Sequence, residues 1–203
     1  MKKQLLVDWI PFVVSKEQLK ESLQENGGKL VVTGVLQTAD AKNQNGRVYP
    51  RAILEREAER YMDIVKERRA HGELDHPDRS IVELKNVSHI ISDMWWDGDD
   101  LMGKCEILTT PMGNILRALI EGEVRVGVSS RGLGSTRTGR DGVAMVGDDF
   151  ELVCWDFVSN PSVHTAWMSP LAESVDPSKV KLPKGHNFDR VQNLIYDILA
   201  EVP

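Results

Sequence analysis

The apolar positions along this chain change period several times, and each change predicts an element. Lys29 to Gln37 carries Leu30, Val31, Val32, Val35 and Leu36, a branched run of strand length. Pro50 suits the first turn of a helix. From there to Ala70, Ile53, Leu54, Ala58, Tyr61, Met62 and Val65 recur on one helical face, with Glu55, Glu59 and Lys66 on the wet side. Residues 82–96 read as an interrupted strand ending at Trp95-Trp96, and Asp97-Gly98-Asp99-Asp100 turns it back into Leu101–Leu108. Thr109-Thr110-Pro111 opens a helix through Leu116 and Ile120 that stops at Gly122. Val124-Arg125-Val126 is a short strand running into the Ser/Gly-rich stretch Gly127–Gly134, and Val143–Val146 and Phe150–Val158 read as two more strands.

The ends are simpler. Residues 1–14 read as a strand, with Pro11 marking an edge or a break. Ser15-Lys16-Glu17-Gln18 has capping-box spacing for a short helix to Gln24, closed by Asn26-Gly27-Gly28. Beyond Pro170 the composition turns to linker, followed by an amphipathic helix from Phe188 to Leu199. Hairpin-linked strands with three well-marked helices predict an α+β domain built on a curved, mainly antiparallel sheet or barrel. The expected organisation is an N-terminal segment over 1–28, a domain over 29–172, and a linker with C-terminal helix over 173–203.

Composition narrows the class. A 41% hydrophobic and 28% charged chain of 203 residues is long enough to bury a core. The net charge of −6 argues against a broad nucleic-acid surface. No apolar run approaches membrane-spanning length, and the first residues make a poor secretion signal, so a cytosolic protein is expected. Cys105 and Cys154 sit in strand-like apolar runs and read as reduced core residues.

Three places carry candidate chemistry. Ser129 and Ser130 follow a strand and precede closely spaced glycines; a nucleophilic serine needs a rigid strand to aim its hydroxyl and nearby N–H donors for an oxyanion. Strand alternation turns the two serines to opposite faces, so one alone serves. His71, Glu73, Asp75 and His76 form a dense cluster of potential metal ligands, but on a Gly- and Pro-containing loop and not one turn apart on a helix. His76 also suits a general base, since a neutral imidazole is the commonest partner of a serine. Asp156 interrupts Leu152–Val158, where a buried carboxylate needs a partner such as an imidazole or the Arg131 guanidinium. Glu151 at the start of that run is its rival.

Taken in order, Asn45-Gly46-Arg47-Val48-Tyr49-Pro50, Gly72-Glu73-Leu74-Asp75-His76-Pro77, Asp93-Met94-Trp95-Trp96 and Gly127-Val128-Ser129-Ser130-Arg131-Gly132-Leu133-Gly134 resemble the prohead core proteases of tailed phages, above all the T-even type. The likeness runs from about residue 30 to 170, through Asp156 and Pro161-Ser162. It implies a β-barrel ringed by helices, similar to herpesvirus assemblin, and a serine endopeptidase without a cofactor or metal. It matches His76 to the family histidine, Ser129 to the nucleophile and Asp156 to the third member. Backbone amides of Arg131 and Gly132, with the Arg131 side chain, are the expected oxyanion donors.

The resemblance also implies cleavage after Glu in Leu/Ile-x-Glu sequences of scaffold and capsid proteins, and of the chain itself, inside the prohead in the host cytoplasm. It implies self-association, with neither nucleic acid nor membrane as partner. Leu23-Gln24-Glu25 and Leu199-Ala200-Glu201 fit that pattern near the ends, where proteolysis concentrates. Ile53-Leu54-Glu55 and Ile81-Val82-Glu83 fit it inside a predicted helix and strand. Arg125, Arg131, Arg137 and Arg140 are the candidate cations for a glutamate pocket.

Overall fold

The computed structural model describes residues 4–12, 16–43, 45–139, 142–159 and 169–170. In chain order its elements are β1 (Gln4–Phe12), α1 (Lys16–Glu25), β2 (Val31–Thr38), β3 (Arg47–Val48), α2 (Arg51–Lys66), β4 (His71–Glu73), β5 (Val87–Asp97), β6 (Asp100–Ile107), α3 (Pro111–Glu121), β7 (Val126–Gly134), β8 (Thr136–Thr138), β9 (Ala144–Val146), β10 (Glu151–Val158) and β11 (Ser169–Pro170). The fold is α+β, as the hairpin pattern predicts. The expected C-terminal helix lies outside the described residues.

The expected closed barrel is absent among the described residues. The strands divide instead into three sheets of order β1-β7-β10, β11-β2-β6-β5-β4 and β3-β9-β8. Among the described residues the named strands pair antiparallel except β3 with β9. One parallel bridge, Leu74 to Phe157, ties the end of β4 to β10 and so brings the first two sheets together at one place. That place is the candidate site.

Local sequence explains most elements. Thr110 caps α3 by accepting from Gly113 N at 3.0 Å, with Pro111 in the first turn. The apolar face of α2 enters two cores. Ala58, Tyr61 and Val65 join Val32, Ile91, Leu116, Val128 and Trp155, whereas Ile53 and Leu54 meet Leu6, Tyr49, Val146 and Phe150. The Trp95-Trp96 end of β5 lies beside this helix, with Arg51 stacked 3.7 Å over the Trp96 ring.

Two predicted boundaries move. The strand expected over 82–96 starts at Val87, after an irregular stretch and a 310 turn at Leu84–Asn86. Ile81-Val82-Glu83 is therefore loop, with Ile81 72% exposed. The larger difference is Gly127–Gly134, which is not a loop at the end of a strand but is strand throughout. None of its glycines has positive φ. They serve close packing: a Cβ on Gly132 would lie 2.4 Å from the Phe150 ring and 2.8 Å from the Glu151 carbonyl oxygen.

Candidate active site

β7 is the middle strand of its sheet and is buried along almost its whole length. Trp9 of β1 faces Ser129 on one side, and Asp156 of β10 faces it on the other. A register shift between Leu152 and Cys154 sets that second pairing. Directly paired residues share a face of the sheet, so Ser129 and Asp156 lie on the same side. Glu151, the rival acid, is exposed and pairs with Leu133. Four residues along an antiparallel strand place it about 13 Å from the serine's position.

The loop after β4 supplies the imidazole. Gly72 lets β4 lie hard against β10, because a Cβ there would come within 2.1 Å of the Trp155 carbonyl oxygen. Asp75 takes a left-handed φ of 67°, and its N–H donates to the Phe157 carbonyl at 2.7 Å. The chain turns at that point and delivers His76 over β7. His76 Nε2 stands 2.6 Å from Ser129 Oγ, and Nδ1 stands 2.8 Å from Asp156 Oδ2. Ser129 is fully buried, and the His76 side chain is 17% exposed, so the site opens on the imidazole side. Ser130 Oγ, on the opposite face, has no hydrogen-bond partner among the described residues.

Asp156 sits at zero exposure in a cage of donors. Its Oδ1 accepts from Glu73 N at 2.9 Å, Arg131 Nη2 at 3.2 Å and Cys154 Sγ at 3.3 Å. Its Oδ2 lies within ion-pair distance of both His76 Nδ1 and Arg131 Nε, the latter at 2.9 Å. Both contacts lie at hydrogen-bonding distance and join the carboxylate to two cationic or polar nitrogens. Burial alone would raise the Asp156 carboxyl. The His76 imidazole, the Arg131 guanidinium and the Glu73 amide outweigh it and hold the carboxyl below its usual value, keeping it ionised. Burial and the Asp156 charge push the Cys154 thiol up, so it stays protonated and donates.

Of the remaining sequence candidates, Arg131 touches this cage through its side chain. Arg131 and Gly132 lie inside β7 with a paired strand on each side, opposite the register shift between Leu152 and Cys154. The Arg131 guanidinium is fully buried and is held by Glu73, Cys154, Asp156 and the Arg79 carbonyl. Arg125 and Arg137 are exposed near the two ends of β7, and Arg140 lies outside the described residues. Glu25 is the last residue of α1, and Glu201 lies outside the described residues. The possible metal cluster disperses: Glu73 is taken up by Arg79 and Arg131, and His76 by Ser129 and Asp156. Among the described residues, no three His, Cys, Asp or Glu side chains converge to hold a metal ion.

Sequence reading missed Glu73 and Cys154 as parts of this site. The available signal was position alone: each stands two or three residues from a candidate, on the same strand or loop. A cavity of about 430 Å3 opens nearby, lined by Asp78, Arg79, Ser80, Ile81, Glu83 and Leu133. Leu133 shares a face of β7 with Ser129.

With the geometry in hand, a family model described as prohead core protein serine protease matches residues 3–176. The chain belongs to that family. A prohead core protein protease of Enterobacteria phage T4 is 35% identical over 169 residues, covering 81% of this chain and 78% of its own length. The solved structure of the bacteriophage T4 capsid assembly protease, gp21, matches with a TM-score of 0.68 at 29% identity, covering 79% of this chain and 100% of that one. The prohead protease described here therefore shares its fold with a capsid assembly protease, and the matched span holds all three residues of the Ser129–His76–Asp156 constellation. No helix among its described residues is long and apolar enough to cross a membrane.

Proposed function

We propose that this prohead protease is a serine endopeptidase acting in capsid assembly, with Ser129 as nucleophile, His76 as general base and Asp156 as the group that orients the imidazole. The observation that carries the reading is the unbroken chain Ser129 Oγ–His76 Nε2, His76 Nδ1–Asp156 Oδ2 at 2.6 and 2.8 Å. In this mechanism Ser129 Oγ attacks the scissile carbonyl while His76 Nε2 takes its proton. His76 then returns that proton to the leaving amine, and water repeats the sequence on the acyl-enzyme. Ionised Asp156 fixes the tautomer with hydrogen on Nδ1 and stabilises the imidazolium that forms.

The substrates are scaffold and capsid proteins of the prohead, together with the chain itself, cut after glutamate in Leu/Ile-x-Glu sequences. The family membership and the T4 likenesses support the capsid-assembly setting, and the glutamate specificity rests on the resemblance of the sequence motifs. The cavity beside Leu133 is the proposed resting place of the substrate chain, because it opens on the face of β7 that carries Ser129. Ser129→Ala tests the reading on peptides ending their acyl side in Leu-Ala-Glu. Cleavage should fall by about 10^4-fold or more with an unchanged melting temperature. Cleavage by the variant at the wild-type rate would sink the mechanism, and equal wild-type cleavage of the glutamate peptide and its lysine counterpart would sink the specificity.

A further inference from the structure

Beneath the serine site lies a second, wholly buried ion pair that the mechanism does not use. Glu73 and Arg131 are 1% and 0% exposed, and Arg131 Nη2 donates to Glu73 Oε2 at 3.3 Å. Both residues also touch Asp156: Glu73 through its backbone N–H at 2.9 Å, and Arg131 through Nε at 2.9 Å and Nη2 at 3.2 Å. In the other direction they hold the chain that follows His76. Glu73 Oε1 accepts from Arg79 Nη2 at 2.7 Å and from the backbone N–H of Glu83, while Arg131 Nη1 donates to the Arg79 carbonyl at 2.9 Å. The pair therefore grips Asp156 on one side and both ends of the cavity-lining loop on the other.

A buried ion pair is a poor way to gain stability, since desolvating two charges costs about what their attraction returns. Apolar residues would fill this space more cheaply. Its arrangement suits a different task. Arg131 presents a rigid planar fork whose nitrogens reach two carboxylates and a carbonyl at fixed angles, which a lysine cannot do. Glu73 neutralises the charge that Arg131 would otherwise leave facing the imidazole.

We propose that Glu73 and Arg131 are positioning residues: together they lock Asp156 in the orientation that His76 requires and fasten the 77–83 loop to the same lock. The proposal rests on the Ser129–His76–Asp156 reading. It predicts that the pair matters to acylation itself and not only to folding. The groups facing the cluster are Tyr61 from α2, Glu73 from β4, Arg79 and Glu83 from the loop, His89 from β5, Arg131 from β7 and Cys154 from β10. Tyr61 and Cys154 stay protonated, both raised by burial first. Changing Glu73 or Arg131 thus alters a defined charge balance.

The test uses the full chain and a small fluorophosphonate ester, which phosphonylates an activated serine with loss of fluoride and without filling the substrate cavity. The labelling rate is measured from pH 5 to 9 below each variant's own melting temperature. Glu73→Gln keeps the shape and removes one negative charge. Its labelling should fall roughly 10- to 100-fold, with the acid limb of the rate profile moved to lower pH because the site loses one negative charge while Arg79 and Arg131 keep their positive ones. Arg131→Lys keeps the charge and loses the fork, so labelling should fall by a similar factor with the acid limb unmoved. Variants that melt lower yet label at the wild-type rate with the wild-type limb would overturn the proposal, because the pair would then be structural only. If Glu73→Gln does not fold, that also counts as a structural role, and Arg131→Lys decides by the same criterion. Should wild type label no faster than Ser129→Ala, it is the underlying serine reading that fails.

Discussion

Near the site, burial pushes His89 down to about 4 from an ordinary 6.5, against the raising pull of the Asp156 charge and the Trp155 carbonyl. The ring is fully enclosed, packed edge-on against Phe157 with centroids 4.7 Å apart. In the unfolded chain the same imidazole binds a proton near pH 6.5, so between there and about 4 the unfolded state holds more protons than the folded one. Its contribution is complete above pH 6.5 and disappears as the pH falls through about 4, a loss on the order of 3 kcal/mol. Asp156, held below its usual 3.8, adds a second loss at still lower pH. Melting temperatures of Ser129→Ala, which does not digest itself under the proposed mechanism, should decline across the first window. Adding His89→Gln should lower the melting temperature at neutral pH and flatten that decline. An unchanged slope would assign the acid sensitivity to another group.

At the scale of elements, the site depends on how closely β4 approaches β10 and β5. Gly72 is the contact point, with the Trp155 carbonyl oxygen 2.1 Å and the His89 ring 2.2 Å from where a Cβ would be. Both obstacles are held within the fold, one by the backbone of β10 and the other by packing on Phe157. Gly72→Ala should therefore separate the strands, costing about 1–3 kcal/mol and breaking the short contacts of Glu73 N and Leu74 that place His76. Peptidase activity should fall further than the folded fraction does; parallel losses would mean that the approach serves packing alone. Elements made by local pattern, such as α2, α3 and the β5–β6 hairpin, were legible because capping and period are local. The partners of β7 were not: Trp9 and Asp156 meet Ser129 from 120 residues before and 27 after, and no local signal carries a register. The glycines of Gly127–Gly134 misled for a related reason. Gly132 and Gly134 sit in a regular strand, and the neighbour that demands them is Phe150, just before the strand that pairs with β7. His76, Ser129 and Asp156 were readable as types in suggestive places. Glu73 was visible only as a potential ligand, because its actual role comes from Arg131 across the fold.

For the whole molecule the question is which ends the active protein can lose. Removing everything up to Glu25 would take away β1 and α1. Yet β1 pairs with β7 from Gln4–Gly134 through Phe12–Val126, covering the full length of the strand that holds Ser129. Leu6 is completely buried in the second core. α1 is fastened as well: Ser22 Oγ donates to the Val31 carbonyl at 2.8 Å and accepts from Val31 N at 3.1 Å, and Leu19 and Leu23 pack on the main core. Glu25 itself is helical, and a protease needs its substrate extended, so cleavage there would first unwind the last turn of α1. We therefore expect self-processing to spare Met1–Glu25 and to fall beyond the described domain, after Glu201. Intact mass after incubation at high concentration should show wild type losing the residues past Glu201 and keeping its N-terminus, while Ser129→Ala stays whole. Deleting residues 1–12 should lower the melting temperature sharply and abolish peptide cleavage, because β7 would be left with an unpaired edge beside Ser129. A product trimmed after Glu25 that still melts and cleaves like the full chain would show β1 to be dispensable, and the scaffold of the site would have to be sought in β7 and β10 alone.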